Sequence, residues 1–225
     1  MDNFKNTLNN TELFGTFVKT PHPHIIEVLA LAELSFIVLD AEHAPFDRST
    51  LDSCILAARA NQLPCIVRVQ DSQPSTILNA LDCGATGIQI PHVCSAEQAE
   101  KLVKMSHYGE GGRGYAGSSR AAKYATKPMA NHLKDSQNNT VVIAQIEDPE
   151  GVVNAESIAK VEGIDVSGPL AFDLIMSPQA AATKKLTDDP VAGHADAIIV
   201  PDIVSGNALF KAFVYLTGGC AADEA

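Results

Sequence analysis

The chain has 225 residues, 46% hydrophobic and 19% charged, a balance that fits one globular domain spanning residues 1–225. Its 16 lysines and arginines against 27 acidic residues leave a formal net charge of −11, which argues against a nucleic-acid partner but still allows an anionic substrate to meet a few cations gathered in one cleft. No apolar run approaches the roughly 20 residues of a membrane span, Met1–Lys5 has no signal-peptide core, and the five cysteines form no CxxC pair, so a cytoplasmic protein with reduced thiols and no membrane partner is expected.

The predicted elements alternate from the start. Phe14–Val18 reads as a strand ending at Lys19-Thr20-Pro21, and Pro23-His24 opens a helix with Ile25, Ile26, Leu29, Ala30 and Ala32 at helical spacing. Phe36–Leu39 is an unbroken apolar run, the mark of a strand buried on both faces, and it delivers Asp40, Glu42 and His43 just before Pro45. The spacing predicts a helix over about 49–61, capped by Ser49 and Thr50, and then a strand over Cys65–Val69 that carries Arg68. A helix over Pro74–Asp82, a strand over Gly87–Pro91 and a helix over Ser95–Met105 follow. Residues 107–139 read as an elaborated loop with a short helix near 127–134; the glycines of Gly109–Gly114 follow a helix rather than a strand, so they do not make a phosphate cradle. Thr140–Glu147 is the clearest buried strand and ends on Gln145 and Glu147. Beyond Asp165 the expected apolar run is broken by Val166-Ser167-Gly168-Pro169, and Ala197–Pro201 and Phe213–Thr217 are the remaining strands.

Strand–helix alternation of this regularity predicts a (β/α)8 TIM barrel, here lacking a helix before the seventh strand and the last helix. In a barrel, residues at the strand C-termini converge on one mouth, which would gather Asp40, Glu42, His43, Arg68, Gln145, Glu147 and Asp173. Carboxylates on adjacent strands, Glu147 and Asp173, suit a divalent cation that keeps most of its waters. Arg68 offers a planar fork to a carboxylate or an enolate oxygen, and His43 can move a proton at neutral pH. These are the parts needed to form and hold a pyruvate enolate. Each residue also has a plainer reading: Arg68 as a salt bridge, Glu147 and Asp148 as acids capping the helix at Pro149. His22, His24, His92, His107, His132 and His194 read as solvated or structural, and Cys54, Cys65, Cys83 and Cys94 as small buried hydrophobes.

Leu39-Asp40-Ala41-Glu42-His43-Ala44-Pro45, Val67-Arg68, Leu81-Asp82-Cys83-Gly84-Ala85, Ile90-Pro91, Arg113-Gly114-Tyr115 and Ala144-Gln145-Ile146-Glu147 together resemble the HpcH/HpaI-type class II aldolases, over roughly residues 13–165. The resemblance implies metal-dependent retro-aldol cleavage of a 4-hydroxy-2-oxo acid to pyruvate and an aldehyde, with Mg²⁺, Mn²⁺ or Co²⁺ as cofactor. By matched position it implies Glu147 and Asp173 as metal ligands, Arg68 as the oxyanion partner and Gln145 as a pyruvate contact. It further implies His43 as the acid/base, Asp82 as its supporting carboxylate, and Ser167, Gly168 and Pro169 beside the substrate carboxylate. Gly168-Pro169-Leu170-Ala171-Phe172-Asp173-Leu174 carries two residues more between proline and aspartate than the family's Gly-Pro-x-Asp-Leu-Ser. A homo-oligomer, a trimer or hexamer, is also implied, and without the last helix Leu209, Phe210, Phe213 and Leu216 would lack their cover. Gly15–Pro21 is similar to the opening of a citrate-forming synthase branch of siderophore pathways, which gives an alternative, and a metal- or oxo-acid-binding relative without turnover is a third.

Overall fold

The computed structural model describes residues 4–8, 13–168 and 199–200. Strands β1 (Gly15–Val18), β2 (Phe36–Asp40), β3 (Cys65–Arg68), β4 (Gly87–Ile90), β5 (Val141–Gln145), β6 (Val166–Gly168) and β7 (Ile199–Val200) form one curled parallel sheet, in the order β6-β5-β4-β3-β2-β1-β7. Helices α1 (Phe4–Leu8), α2 (Pro23–Ala30), α3 (Arg48–Ala60), α4 (Pro74–Asp82), α5 (Ala96–Ser106), α6 (Met129–Asn139), α7 (Pro149–Val153) and α8 (Ala155–Ala159) complete the described elements. Parallel neighbours need a crossover, and α2 to α5 supply it between the first strands.

Local chemistry sets the helix starts. Pro23 and Pro74 stand in the first turns of α2 and α4, where the missing N–H costs nothing. The cap of α3 lies earlier than Ser49: Asp47 accepts from the Thr50 amide at 2.7 Å, and Thr50 Oγ1 accepts from the Asp47 amide at 3.0 Å. Thr50 is thus the reciprocal partner of the box rather than the cap. Ser95 caps α5 through the Gln98 amide.

The side-chain period of two divides the strands between two cores. Ile37, Leu39, Val67, Ile88, Ile90, Val142 and Ala144 face the helices and pack against Ile26, Cys54, Ile55, Ile77 and Leu102. Phe36, Val38, Ile66, Val141 and Ile143 face the concave side, where Phe4 and Leu13 join them. The small helix α1, which the sequence pattern does not announce, sits against this second cluster: the Phe4 and Phe36 rings are 5.8 Å apart, and Lys5 Nζ lies 2.9 Å from Asp165 Oδ1.

β7 pairs with β1, Gly15 opposite Ile199, rather than standing beside β6 as a seventh strand in simple sequence order would. The chain therefore forms an α/β curled sheet whose described edges are β6 and β7. The places of the helices expected to be lacking, the strand Phe213–Thr217 and the apolar patch at Leu209, Phe210, Phe213 and Leu216 lie outside the described residues. In 107–139 the helix runs Met129–Asn139, longer and later than predicted.

Candidate active site

Register carries the site. On the concave face, Val38 pairs with Ile66 and Asp40 with Arg68, while Arg68 pairs with Gln89 on the next strand. Each of Asp40, Arg68, Gln89 and Gln145 lies two residues beyond an inward-facing position of its strand, so the four form a polar layer above the apolar one. One inward step further stand Glu42 and Glu147, at the mouth.

Asp40 is fully buried, with 0% exposure, and its carboxylate is surrounded by donors. Arg68 Nε donates to Oδ1 at 3.0 Å and Nη2 lies 2.7 Å from Oδ2, a two-point ion pair. The His43 amide donates to Oδ1 at 3.0 Å, and Lys19 Nζ stands 3.6 Å from Oδ2. Burial alone would raise the Asp40 pKa; the Arg68 and His43 hydrogen bonds and the charges of Arg68 and Lys19 outweigh it, and the net direction is down. Arg68 also approaches Glu42 Oε2 at 3.3 Å and lies over the Phe17 ring at 4.8 Å. Its Nη1 makes no hydrogen bond among the described residues and remains for a ligand.

A second chain of contacts crosses β4 and β5. Gln89 Nε2 donates to Gln145 Oε1, and Gln145 Nε2 donates to Glu147 Oε2 at 2.8 Å. Glu147 Oε1 accepts from the His92 amide at 3.0 Å. His92 holds a left-handed backbone, φ 56°, unusual for a residue with a side chain. Its Nδ1 lies 2.9 Å from Asp148 Oδ2; that hydrogen bond first, and then the charge of Glu147, raise the imidazole's pKa. Asp148 stands at the start of α7 but makes no side-chain cap bond, so its carboxylate serves His92 instead of the helix. His43 is exposed, with Nε2 3.7 Å from Glu42 Oε1.

The expected residues are not all gathered. His43, Arg68, Gln145 and Glu147 share the mouth. Gly168 pairs with Gln145, and its carbonyl accepts from the Ile146 amide, so Ser167 and Gly168 border the site through the backbone of β6. Pro169 and Asp173 lie outside the described residues. Asp82 ends α4, which carries the chain from the mouth to the opposite end of the sheet, and there its Oδ1 lies 3.3 Å from Arg113 Nη1. The sequence placed Glu42 at the mouth and read His92 as solvated or structural, and it gave no role to Lys19 or Gln89. Those two were available from the alternation of inward positions; His92 was not, because a left-handed residue breaks the strand period.

Glu42, His92 and Glu147 place one donor atom each within 4.8 Å of one another, and buried Glu42 Oε2 has no hydrogen-bond partner. This donor set fits a divalent cation.

Residues 13–203 match the HpcH/HpaI aldolase/citrate lyase profile. The chain belongs to that family. It is 38% identical over 152 residues to the 5-keto-4-deoxy-D-glucarate aldolase of Klebsiella pneumoniae, an overlap of 67% of this chain and 59% of that protein. The chain thus spans well under two thirds of this relative. Among solved structures, an HpcH/HpaI family protein from Burkholderia cenocepacia J2315 superposes with a TM-score of 0.74 at 24% identity, over 96% of this chain and 100% of that one, which is a likeness of fold. The citrate synthase SbnG superposes at 0.69 with 32% identity, over 92% of this chain and 85% of that one.

Proposed function

We propose that the protein is a metal-dependent class II aldolase, a carbon–carbon lyase that reversibly cleaves a 4-hydroxy-2-oxo acid to pyruvate and an aldehyde. The observation that carries this reading is Arg68, fixed by buried Asp40 at a mouth that also holds Glu42 and Glu147. Fixed positive charge beside paired carboxylates suits a reaction that develops an oxyanion next to a cation. We read the sheet as part of a (β/α)8 ring in a single domain, with β7 in the last place before β1.

Glu147 and Asp173 would hold Mg²⁺, Mn²⁺ or Co²⁺, which when bound supplies a Lewis acid at the 2-oxo group. The chain's own residues do the rest. His43 takes the proton of the 4-hydroxyl, the C3–C4 bond breaks as the aldehyde carbonyl forms, and the electron pair passes to the C2 oxygen as an enolate. Arg68 neutralises that oxygen through its free nitrogen. A proton returned to C3 then gives pyruvate. Gln145, held by Gln89 and Glu147, orients the pyruvate unit, and the Ser167–Pro169 backbone receives the carboxylate. Because Asp82 stands at the far end of the sheet, its support of His43 requires a second copy of the chain, as a trimer or hexamer would bring. The described cysteines are free thiols, in keeping with a cytoplasmic site of action.

The test is pyruvate release from 5-keto-4-deoxy-D-glucarate by the purified chain. EDTA should abolish it and Mg²⁺, Mn²⁺ or Co²⁺ restore it, while Glu147→Gln weakens metal binding and leaves the fold intact. Full activity in EDTA would overturn the reading. The 32% identity to a citrate synthase supports a second one, tested by condensation of acetyl-CoA with oxaloacetate. Binding of pyruvate with no turnover of either kind would mark an inactive relative.

A further inference from the structure

His92 is a site residue whose placement serves no step described above. It follows β4 in a strained left-handed turn, and its side chain, 62% exposed, is nevertheless surrounded by three carboxylates. Asp148 Oδ2 lies 2.9 Å from Nδ1, Glu147 Oε1 lies 3.5 Å from Nδ1, and Glu42 Oε1 lies 3.8 Å from Nε2. The two ring nitrogens are not equivalent in these surroundings. The contact with Asp148 is short enough to be a hydrogen bond, which places a proton on Nδ1 and, in the neutral ring, leaves the Nε2 lone pair facing Glu42. An imidazole held through one nitrogen by a carboxylate, with the other nitrogen facing a second carboxylate, here Glu42, is the arrangement in which proteins present histidine to a metal.

A second observation points the same way. The Glu42 side chain is only 9% exposed, and its two oxygens have different surroundings. Oε2 lies 3.3 Å from Arg68 Nε, whose charge it shares with Asp40, whereas Oε1 faces His92 Nε2 and is left for a cation. The donor atoms of Glu42, His92 and Glu147, all within 4.8 Å of one another, need little closure to meet around one ion.

We propose that His92, through Nε2, is a further protein ligand of the divalent cation proposed for Glu147 and Asp173, with Glu42 as an additional oxygen neighbour and Asp148 as the residue that positions the ring. The inference rests on the metal-dependent reading and adds to it a nitrogen donor. Imidazole favours Co²⁺ or Zn²⁺ over Mg²⁺, which takes oxygen ligands, so the ion this protein selects should be of the former kind.

The test uses the full chain, stripped with EDTA and reloaded with Mn²⁺ alone, and reads ligand nitrogen by electron spin-echo modulation. The expected result is an imidazole nitrogen coupling that persists in His43→Gln and disappears in His92→Gln. Calorimetric titration should show Asp148→Asn weakening Co²⁺ binding by about 10- to 100-fold. His92→Gln should lower Co²⁺ affinity more than Mg²⁺ affinity. Tight Mn²⁺ binding without nitrogen coupling, unchanged in His92→Gln, would overturn the proposal and leave metal dependence standing. Failure of the wild-type chain to bind Mn²⁺, Co²⁺ or Mg²⁺ would remove both.

Discussion

Arg68 has little freedom to turn away from the mouth. Asp40 holds two of its nitrogens, Phe17 lies beneath the guanidinium, and Nη1 has no hydrogen-bond partner among the described residues. Proposed to meet the enolate oxygen, it should matter whenever pyruvate loses a methyl proton, with or without an aldehyde. His43, proposed to act on the 4-hydroxyl, should matter only for cleavage. Arg68→Ala should therefore slow both cleavage and exchange of pyruvate methyl protons into deuterated water by about 10²–10³. His43→Ala should slow cleavage by about 10²–10⁴ and leave more of the exchange. Lysine at position 68 should rescue little, since the charge stays but the planar fork is lost. Proton NMR and a pyruvate assay give the two rates side by side; normal exchange in Arg68→Ala would contradict this division. Arg68→Ala also leaves Asp40 buried with Lys19 as its remaining cation, so its thermal melt must accompany the rates.

Among the elements, the strands were the most legible. Phe36–Leu39 and Val141–Ala144 are apolar on both faces because both faces are covered, by helices outside and by the concave cluster inside. The ends of those two strands named Asp40, Gln145 and Glu147, and the end of β3 named Arg68. Less could be read where tertiary contacts decide. Helix α1 has five residues and is held by Phe4 on Phe36 and by Lys5 on Asp165, partners remote in the chain. Asp82 came from the family resemblance as support for His43; within one chain it ends α4 beside Arg113, and no sequence pattern shows what a second copy would bring to it. Gly87 offers a test at this scale. A Cβ there would meet the Val141 carbonyl oxygen, Val141 Cβ at 2.7 Å and Ile66 Cδ1 at 3.0 Å, where β3, β4 and β5 come together. Gly87→Ala should cost about 1–3 kcal/mol through overpacking. Gly114→Ala, with nothing within 4 Å of the added carbon, should melt like the parent. Equal melting of both variants by calorimetry would show that the sheet yields more easily than this packing implies.

For the whole molecule, acid stability depends on the end of the sheet away from the mouth. His107 is buried there, and its Nδ1 has no hydrogen-bond partner. Burial first, and then the charges of Lys5 and Arg113, hold its pKa below the ordinary 6.5. The unfolded chain therefore binds this proton more readily than the folded one. The stability concerned is present above pH 6.5 and is lost as pH falls through the lower folded value. Urea unfolding at pH 7.5 and at pH 5 should show a loss in the parent that shrinks in His107→Gln, His132 adding a smaller loss of the same sign. An identical loss in both proteins would place the sensitivity elsewhere.

The docking of α1 at this same end also bears on the order in which the chain can assemble. Lys5 donates to the Thr140 carbonyl, 135 positions later, and pairs with Asp165, later still. Phe4 can lean on Phe36 as soon as β2 is in place, but Lys5 has neither partner until β5 and the start of β6 have formed. Closing so long a loop is slow relative to the local strand–helix contacts that precede it. Helix α1 is thus fully fastened only after strands that follow it by more than a hundred residues.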